Sequence, residues 1–426
     1  MIPSLLVLGA GPLQIPALHE ARALGIRSVA LDANPAAVGL ALCDAPHVAD
    51  ILNPDKVEAI AREERVNGIM TLCTDAPVKT VAEVGERMGL TALTPKAAGR
   101  ATDKRLMRQA FADAGAPSPE TRTVETLREA RVAAEAFGYP VALKIGCSSG
   151  SRGVYCVDRG DALAAAYESC RSYQKEGALL LEEWVDGGEV SVEGYCTDTT
   201  HAIVAITDKF LFPGRSPVEA GHCQPSHFEP HIQEQIREAV HAGLAALGLT
   251  WCAFHAEVKV SPAKGARLIE IGARLGGDRI STHLTPLSTG VNLVRVAVLL
   301  ALGERPEAFP ILDRGACVRY FDLKRSGVLK HLGGLRRLYG IPGAEIIYPA
   351  SERDGLLREG FVIGEVRSSL DRYGHVLYSG STREEAIHRC QAAASMLQFE
   401  FEDGDCRNGE GLAVMETVPR RLEKVP

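Results

Sequence analysis

His255-Ala256-Glu257-Val258-Lys259-Val260 and Arg267-Leu268-Ile269-Glu270-Ile271-Gly272-Ala273-Arg274 are two alternating segments, each with the period of a half-buried strand. The residues between them, Ser261-Pro262-Ala263-Lys264-Gly265-Ala266, are turn-formers, so the pair is expected to be a hairpin. A loop of Pro262 to Gly265 sets Val260 opposite Arg267 and Glu257 opposite Glu270. Side chains facing one another in this way sit about 5 Å apart, where like charges destabilise. Two carboxylates at that range repel by roughly 3–4 kcal/mol at an effective dielectric near 20. A hard divalent cation such as Mg²⁺ offsets that repulsion, because it takes carboxylate oxygens and commonly brings phosphates with it. Phe254, Ala256, Val258 and Val260, with Ile269 and Ile271, are expected to form the opposite, core-facing side. The polar face then carries two acids and Arg274, and ends in Leu275-Gly276-Gly277-Asp278.

Composition narrows the rest. A chain of 426 residues suggests about three domains. Net charge is -7, spread evenly and without a basic patch, so nucleic-acid binding is not expected. The N-terminus lacks the basic and long apolar regions of a signal peptide. No run of apolar residues reaches membrane-spanning length, so no membrane partner is expected either. Eleven scattered cysteines, with no C-x-x-C pair, fit reduced thiols and a cytoplasmic location. His222, His227, His231 and Cys223 lie too irregularly for a zinc site.

The first hundred residues alternate strand and helix signals: Leu5-Leu6-Val7-Leu8, Ser28-Val29-Ala30-Leu31 and Gly68-Ile69-Met70-Thr71-Leu72, with helices between. That pattern implies a parallel sheet. Gly9-x-Gly11 followed by Asp32 partly matches a dinucleotide fingerprint, but Gln14 stands at the third glycine position. A Rossmann-like domain without firmly bound NAD is expected. Lys104 opens an amphipathic helix. Lys144 ends a strand and leads into Gly146-Cys147-Ser148-Ser149-Gly150-Ser151-Arg152-Gly153, small residues whose N–H groups and hydroxyls suit anionic oxygens. This is not the Walker A spacing. Glu182-Glu183-Trp184-Val185, followed by Glu189, suits an adenosine pocket. A helix over 232–247, an apolar helix from Asn292 to Leu302 and a third unit follow. That unit is expected to hold a hairpin turn at Asp371-Arg372-Tyr373-Gly374-His375-Val376 and a helix near 384–397, with a loose tail after Asp403.

Taken in order, these pieces resemble the ATP-grasp superfamily over about residues 1–400: a lysine, a second lysine with a Ser/Gly loop, Glu-x-x-Val with a further Glu, and two acids thirteen apart with Arg four beyond. Within it the chain looks most like the L-amino-acid ligases that make dipeptides. Glu219-Ala220-Gly221-His222, Glu270 to Asp278 and residues 360–400 carry that likeness. The resemblance implies an α/β and α+β fold. Its parts would be a Rossmann-like N-terminal domain over 1–97, two grasp lobes over 98–310, a C-terminal ligase domain over 311–403 and a tail over 404–426. It implies ATP and one or two Mg²⁺ ions, with Mn²⁺ as an alternative. Lys104, Lys144 and the loop Ser148, Ser149, Gly150, Ser151 and Gly153 would hold phosphates, and Lys209 would reach the γ-phosphate. Glu182 and Val185 would meet the adenine, Glu189 the ribose, and Leu268 would pack under the base. Glu257 and Glu270 would bind the metal. Arg274 would bind the acyl phosphate, and Glu219 and His222 would line the amino-acid pocket together with Gly276 and Gly277.

The implied reaction joins a small-molecule carboxylate to an amine, releasing ADP and phosphate. Similar ligases are often dimers, so a homodimer is an expectation. One departure stands out: many relatives carry Glu-x-Asn at the second acid, and here the Asn place is Gly272. Three rival readings are a purine-pathway or carboxylase-type ATP-grasp enzyme, a nicotinamide dehydrogenase, and a non-catalytic nucleotide-binding protein.

Overall fold

The computed structural model of the chain describes residues 2–146, 153–212, 218–307, 312–321, 323, 325–351, 355–366 and 368–408. Ser148, Ser149, Gly150 and Ser151, expected to hold phosphates, lie outside the described residues.

The N-terminal unit alternates β1 (Ser4–Leu8), α1 (Ile15–Ala23), β2 (Arg27–Asp32), β3 (Ala45–Val48), α2 (Pro54–Glu63), β4 (Gly68–Met70), α3 (Val78–Met88) and α4 (Pro95–Thr102). Its strands are parallel in the order β3-β2-β1-β4. Every residue of β1 is buried, as expected where helices cover both faces of a parallel sheet. Gln14 accepts from the Gly11 amide at 3.1 Å and donates to the Leu72 carbonyl at 2.6 Å. The amide that a dinucleotide phosphate would use is therefore already bonded within the turn.

Next come α5 (Lys104–Ala114), β5 (Thr121–Val124), α6 (Leu127–Phe137), β6 (Val141–Lys144), β7 (Val154–Val157), α7 (Leu163–Tyr173) and β8 (Leu179–Glu183). The strands form a small antiparallel sheet, β5-β8-β6-β7. The second lobe holds β9 (Gly188–Cys196), β10 (His201–Leu211), β11 (Glu219–Gln224), α8 (Pro230–Leu247), β12 (Cys252–Ser261), β13 (Gly265–Gly272), α9 (Thr285–Thr289) and α10 (Leu293–Ala301). Gly243 lets α8 close on β13: a Cβ there would fall 2.6 Å from Ile271 Cδ1 and 2.7 Å from Leu268 Cδ1.

The C-terminal unit adds β14 (Gly315–Tyr320), β15 (Gly327–Gly333), α11 (Leu335–Leu338), β16 (Ala344–Tyr348), β17 (Ala350–Ser351), β18 (Gly355–Leu356), β19 (Phe361–Ile363), β20 (His375–Gly380), α12 (Arg383–Met396), β21 (Gln398–Phe401) and β22 (Cys406–Asn408). Three of these strands extend the grasp sheet, giving one eight-stranded order, β13-β12-β9-β10-β11-β14-β20-β16. The seam is β11–β14, where His222 pairs with Val318 and Cys223 with Cys317. Likewise α10 buries Val294, Val296 and Leu300 with Leu5, Val7 and Ala30 of the N-terminal sheet. Units that are separate in sequence therefore share sheets and cores.

Four details differ from the sequence reading. Ser261 pairs with Gly265 and Val260 with Ala266, so the hairpin loop is one residue shorter than Pro262–Gly265. A bulge beside Val258 then absorbs one extra residue and restores Glu257 opposite Glu270. The same bulge exchanges two neighbours: Leu268 is fully buried, while Ile269 is only half-buried. Asp371-Arg372-Tyr373-Gly374-His375-Val376 is not a hairpin turn; a single helical turn, Ser369–Asp371, is joined by Arg372–Gly374 to β20, which begins at His375. Finally, β22 pairs with β21 inside the segment expected to be a loose tail.

Candidate active site

Each carboxylate of the acid pair, on neighbouring strands of the eight-stranded sheet, has its own ammonium partner. Asp103 caps α5 by accepting from the Arg105 amide at 2.9 Å. That start places Lys104 Nζ 2.9 Å from Glu270 Oε2. Lys209, on β10, lies 2.8 Å from Glu257 Oε1, 2.5 Å from Glu189 Oε1 and 4.0 Å from Glu219 Oε1. Burial alone would lower the Lys209 pKa, yet the three carboxylates hold it well above the ordinary lysine range. Lys144 Nζ is 2.6 Å from Glu182 Oε2, and Arg108 Nε is 2.8 Å from the other oxygen. Burial pushes Glu182 up, but Arg108 and Lys144 outweigh it and bring its pKa to about 2. All three lysines expected to meet phosphate are thus paired with acids in the chain by itself.

Arg274 stands beyond the end of β13. It is held bidentately by Asp75 of the N-terminal unit, Nε to Oδ1 at 2.8 Å and Nη2 to Oδ2 at 2.9 Å. Gly272 lies against this pair: a Cβ there would sit 3.2 Å from Asp75 Oδ1 and 3.3 Å from Arg274 Cζ, a tight contact. Across the strands, His255 lies opposite both Gly272 and Glu193. Its Nδ1 is hydrogen-bonded to Glu193 Oε1, and its Nε2 is 3.8 Å from Glu257 Oε1. Burial opposes the charged imidazole, but Glu193 raises its pKa to about 9. Glu193 is fully buried, and its other oxygen accepts from the Gly276 amide at 3.2 Å and from Ser281 Oγ at 2.6 Å. One carboxylate thereby ties the Gly276-Gly277 loop to the acid-bearing strand.

A second cluster lies along β11. Glu219 Oε2 accepts from Ser369 Oγ at 2.7 Å. His222 Nε2 is 3.4 Å from Asp278 Oδ2, and its buried Nδ1 has no hydrogen-bond partner among the described residues. Arg372 reaches in from the C-terminal unit. It donates to Asp278 at 3.0 and 2.6 Å, and its guanidinium lies 3.6 Å from the Tyr320 ring centroid.

Lys104, Lys209, Glu189, Glu257, Glu270, Arg274, Glu219 and His222 therefore line one continuous wall, with Gly276 beside it. Lys144 and Glu182 form a separate buried pair under the small sheet. Val185 is buried in the link from β8 to β9, and Gly153 holds a left-handed turn at φ +67° before β7. Leu268 stands apart: its Cδ1 abuts α8, on the core side of the hairpin, and half-buried Ile269 is the apolar residue left beside the acids. The sequence reading left out His255, Glu193, Asp75 and Arg108. The strand period does place His255 on the acid face, two residues before Glu257. Asp75 and Glu193 carry no local signal, since their partners lie far along the chain. Among the described residues, no three His, Cys, Asp or Glu side chains surround one point. The described cysteines are free thiols. No single helix among these residues is long and apolar enough to cross a membrane.

Residues 137–283 match the model of an ATP-grasp domain. Residues 319–402 match the L-amino acid ligase C-terminal domain 2. The chain is 31% identical over 253 residues to alanine–anticapsin ligase of Bacillus subtilis, covering 54% of this chain and 53% of that one. It thus spans about half the length of the curated relatives it first matches. It is 27% identical over 379 residues to phosphoribosylamine–glycine ligase of Leifsonia xyli, covering 82% and 86% of the two chains. Its fold is similar to that of an L-amino acid ligase from Bacillus licheniformis, with a TM-score of 0.80 at 20% identity over 94% and 99% of the chains. That fold is consistent with the small antiparallel sheet and the large sheet that carries the acid pair.

Proposed function

We propose that the chain is an ATP-dependent carboxylate–amine ligase that joins an amino acid, or a similar carboxylate, to an amine or a second amino acid. The observation that carries this reading is Glu257 facing Glu270 across β12 and β13, each beside a lysine, with Arg274 fixed at the end of the strand. The oxygen-only, half-buried acid pair suits a hard cation, although Gly272 adds no oxygen of its own. Glu257 and Glu270 would hold Mg²⁺, or Mn²⁺ in its place, and when bound the ion supplies charge neutralisation to the phosphates.

The chain's own groups do the rest. Lys104, Lys144 and Lys209 can release their acids and bind phosphate oxygens, while Val185 lines the adenine side and Glu189 the ribose. A substrate carboxylate oxygen attacks the γ-phosphorus in line, breaking the bond to ADP and giving an acyl phosphate. Positioning and charge carry this step. Glu219 and His222 would hold the amino acid. An amine nitrogen then attacks the acyl carbon, Arg274 stabilises the oxyanion, and phosphate leaves as the amide forms and the nitrogen gives up its proton.

Coupled ADP release with pairs of amino acids, set against ribonucleotide amines and bicarbonate, tests the reading. Amine-dependent ADP release with an amino-acid pair is expected, and Glu270→Gln and Arg274→Ala are each expected to abolish it. Full activity in either variant overturns the assignment. Turnover confined to a ribosylamine would support the second reading, a purine-type ligase, which draws on the likeness to phosphoribosylamine–glycine ligase.

A further inference from the structure

Two pairs of cysteines stand directly opposite one another on neighbouring antiparallel strands. Cys223 of β11 faces Cys317 of β14, and Cys196 of β9 faces Cys252 of β12. Their surroundings differ. Cys223 and Cys317 are fully buried in the C-terminal core, where Cys390 Sγ donates to the Cys317 carbonyl at 3.2 Å. Cys196 is fully buried too, but Cys252 lines a cleft of about 480 Å³, partly open to solvent, between β4, α3, α10 and the start of β12. Thr71, Thr91, Trp251 and Arg274 line the same cleft. Directly opposed residues of an antiparallel pair have α-carbons about 4.5–5.5 Å apart. A disulfide spans roughly 4.4–6.8 Å between α-carbons, so it fits that spacing without moving the backbone. The two sulfurs already interact: the Cys252 sulfur first, and burial second, push the Cys196 thiol up. Cys196 therefore keeps its proton, and Cys252, on the cleft, is the first to react. Both side chains lie on the core face with Phe254 and Ala256, on the other side of the strand from His255 and Glu257.

We propose that Cys196 and Cys252 are a peroxide-reactive pair that closes to a reversible disulfide. The Cys252 sulfur attacks one oxygen of hydrogen peroxide. The O–O bond breaks, the departing hydroxide takes the thiol proton as water, and a sulfenic acid remains on Cys252. The Cys196 sulfur then attacks the Cys252 sulfur. The S–S bond forms, the S–O bond breaks, and the departing hydroxide takes the Cys196 proton as a second water. Two thiols are oxidised and one peroxide is reduced. A partner sulfur at this range intercepts the sulfenic acid before more peroxide carries it to the sulfinic acid. The bridge ties β9 to β12 on the face away from the acid pair, so the inference stands apart from the ligase reading.

The test treats the full-length chain with excess hydrogen peroxide in thiol-free buffer. Remaining thiols are then blocked with iodoacetamide in urea, and the peptides are mapped by mass spectrometry. A peptide linked through Cys196 and Cys252 is expected, and reduction with dithiothreitol before blocking should remove it. Cys223 and Cys317 should be recovered alkylated, and oxidation of the exposed Cys156 and Cys406 shows that the oxidant has acted. Cys196→Ser should leave a sulfenic acid on Cys252 that dimedone traps, whereas Cys252→Ser should leave Cys196 unoxidised. The urea midpoint of the wild-type chain should rise after peroxide and return with dithiothreitol, because the bridge constrains the unfolded chain, and neither serine variant should show that rise. The inference is overturned if Cys196 and Cys252 both stay open to alkylation once Cys156 and Cys406 are oxidised. Oxidation of Cys252 without the bridge, or closure of Cys223 with Cys317 in its place, overturns it equally.

Discussion

At the scale of single residues, the site is a set of acids that carry their own counter-ions. Lys209 serves three of them, so Lys209→Met should destabilise the chain by about 3–5 kcal/mol, the usual cost of leaving a buried charge unpaired. Urea unfolding measures this. Millimolar Mg²⁺ should recover part of the loss in the variant and change wild-type stability little; an equal effect on both would refute the exchange of lysine for metal. Glu182 supplies a pH signature. Its pKa in the folded chain is about 2, against an ordinary value of 4.5. The stabilisation it gives is therefore complete above about pH 4.5 and disappears as pH falls towards 2. The size is about 3 kcal/mol. Unfolding followed across that window should show the loss in wild-type protein. Glu182→Gln should be less stable at neutral pH, where Arg108 and Lys144 lose their acid, and flatter between pH 4.5 and 2. At this scale the sequence was a good guide to chemistry that lies along one strand. The acids and lysines could be named, because residue type and strand period are local. The Arg108–Glu182–Lys144 triad could not, because only folding brings those three together.

At the scale of elements, the hairpin shows how a reading can reach the right pairing by a wrong route. The turn is one residue tighter than its turn-formers suggest, and the bulge puts that residue back. Strand alternation, read without a bulge, still pairs the acids but sends Leu268 and Ile269 to each other's faces. Bulges leave little trace in a strand pattern, so this error is physical in origin. Helix starts were clearer: Asp103 before Lys104 is a recognisable cap, and Asp103→Ala should cost about 1 kcal/mol while loosening the Lys104–Glu270 contact. Thermal unfolding and the KM for ATP would report the two effects. The link from β4 to α3 does more than connect them, since its Asp75 orients Arg274. Asp75→Asn should therefore lower kcat by roughly tenfold or more with a smaller change in KM for ATP, as for a lost charged hydrogen bond. An unchanged kcat would mean that Arg274 is positioned by other means.

At the scale of the whole molecule, the expected edges between 1–97, 98–310 and 311–403 do not coincide with edges of elements or of cores: α4 (Pro95–Thr102) runs across the first of them. The apolar run that forms α10 reads as the close of the grasp region, yet it packs on the N-terminal sheet. Nothing in β14 signals that its partner is β11, some ninety residues earlier, because pairing between distant strands is decided by the assembled core. A chain cut after residue 307 would expose the ladder edge of β11 and lose Arg372. Residues 1–307 made alone are expected to aggregate, and light scattering beside the full chain would show it. A soluble, cooperatively unfolding 1–307 would mean that the seam is dispensable. The seam has a further use. Since the β11–β14 seam is a backbone ladder between the two parts, residues 1–307 and 312–426 supplied together as separate chains should recombine. In a split protein of that kind the Arg372–Asp278 pair would form only when the halves meet.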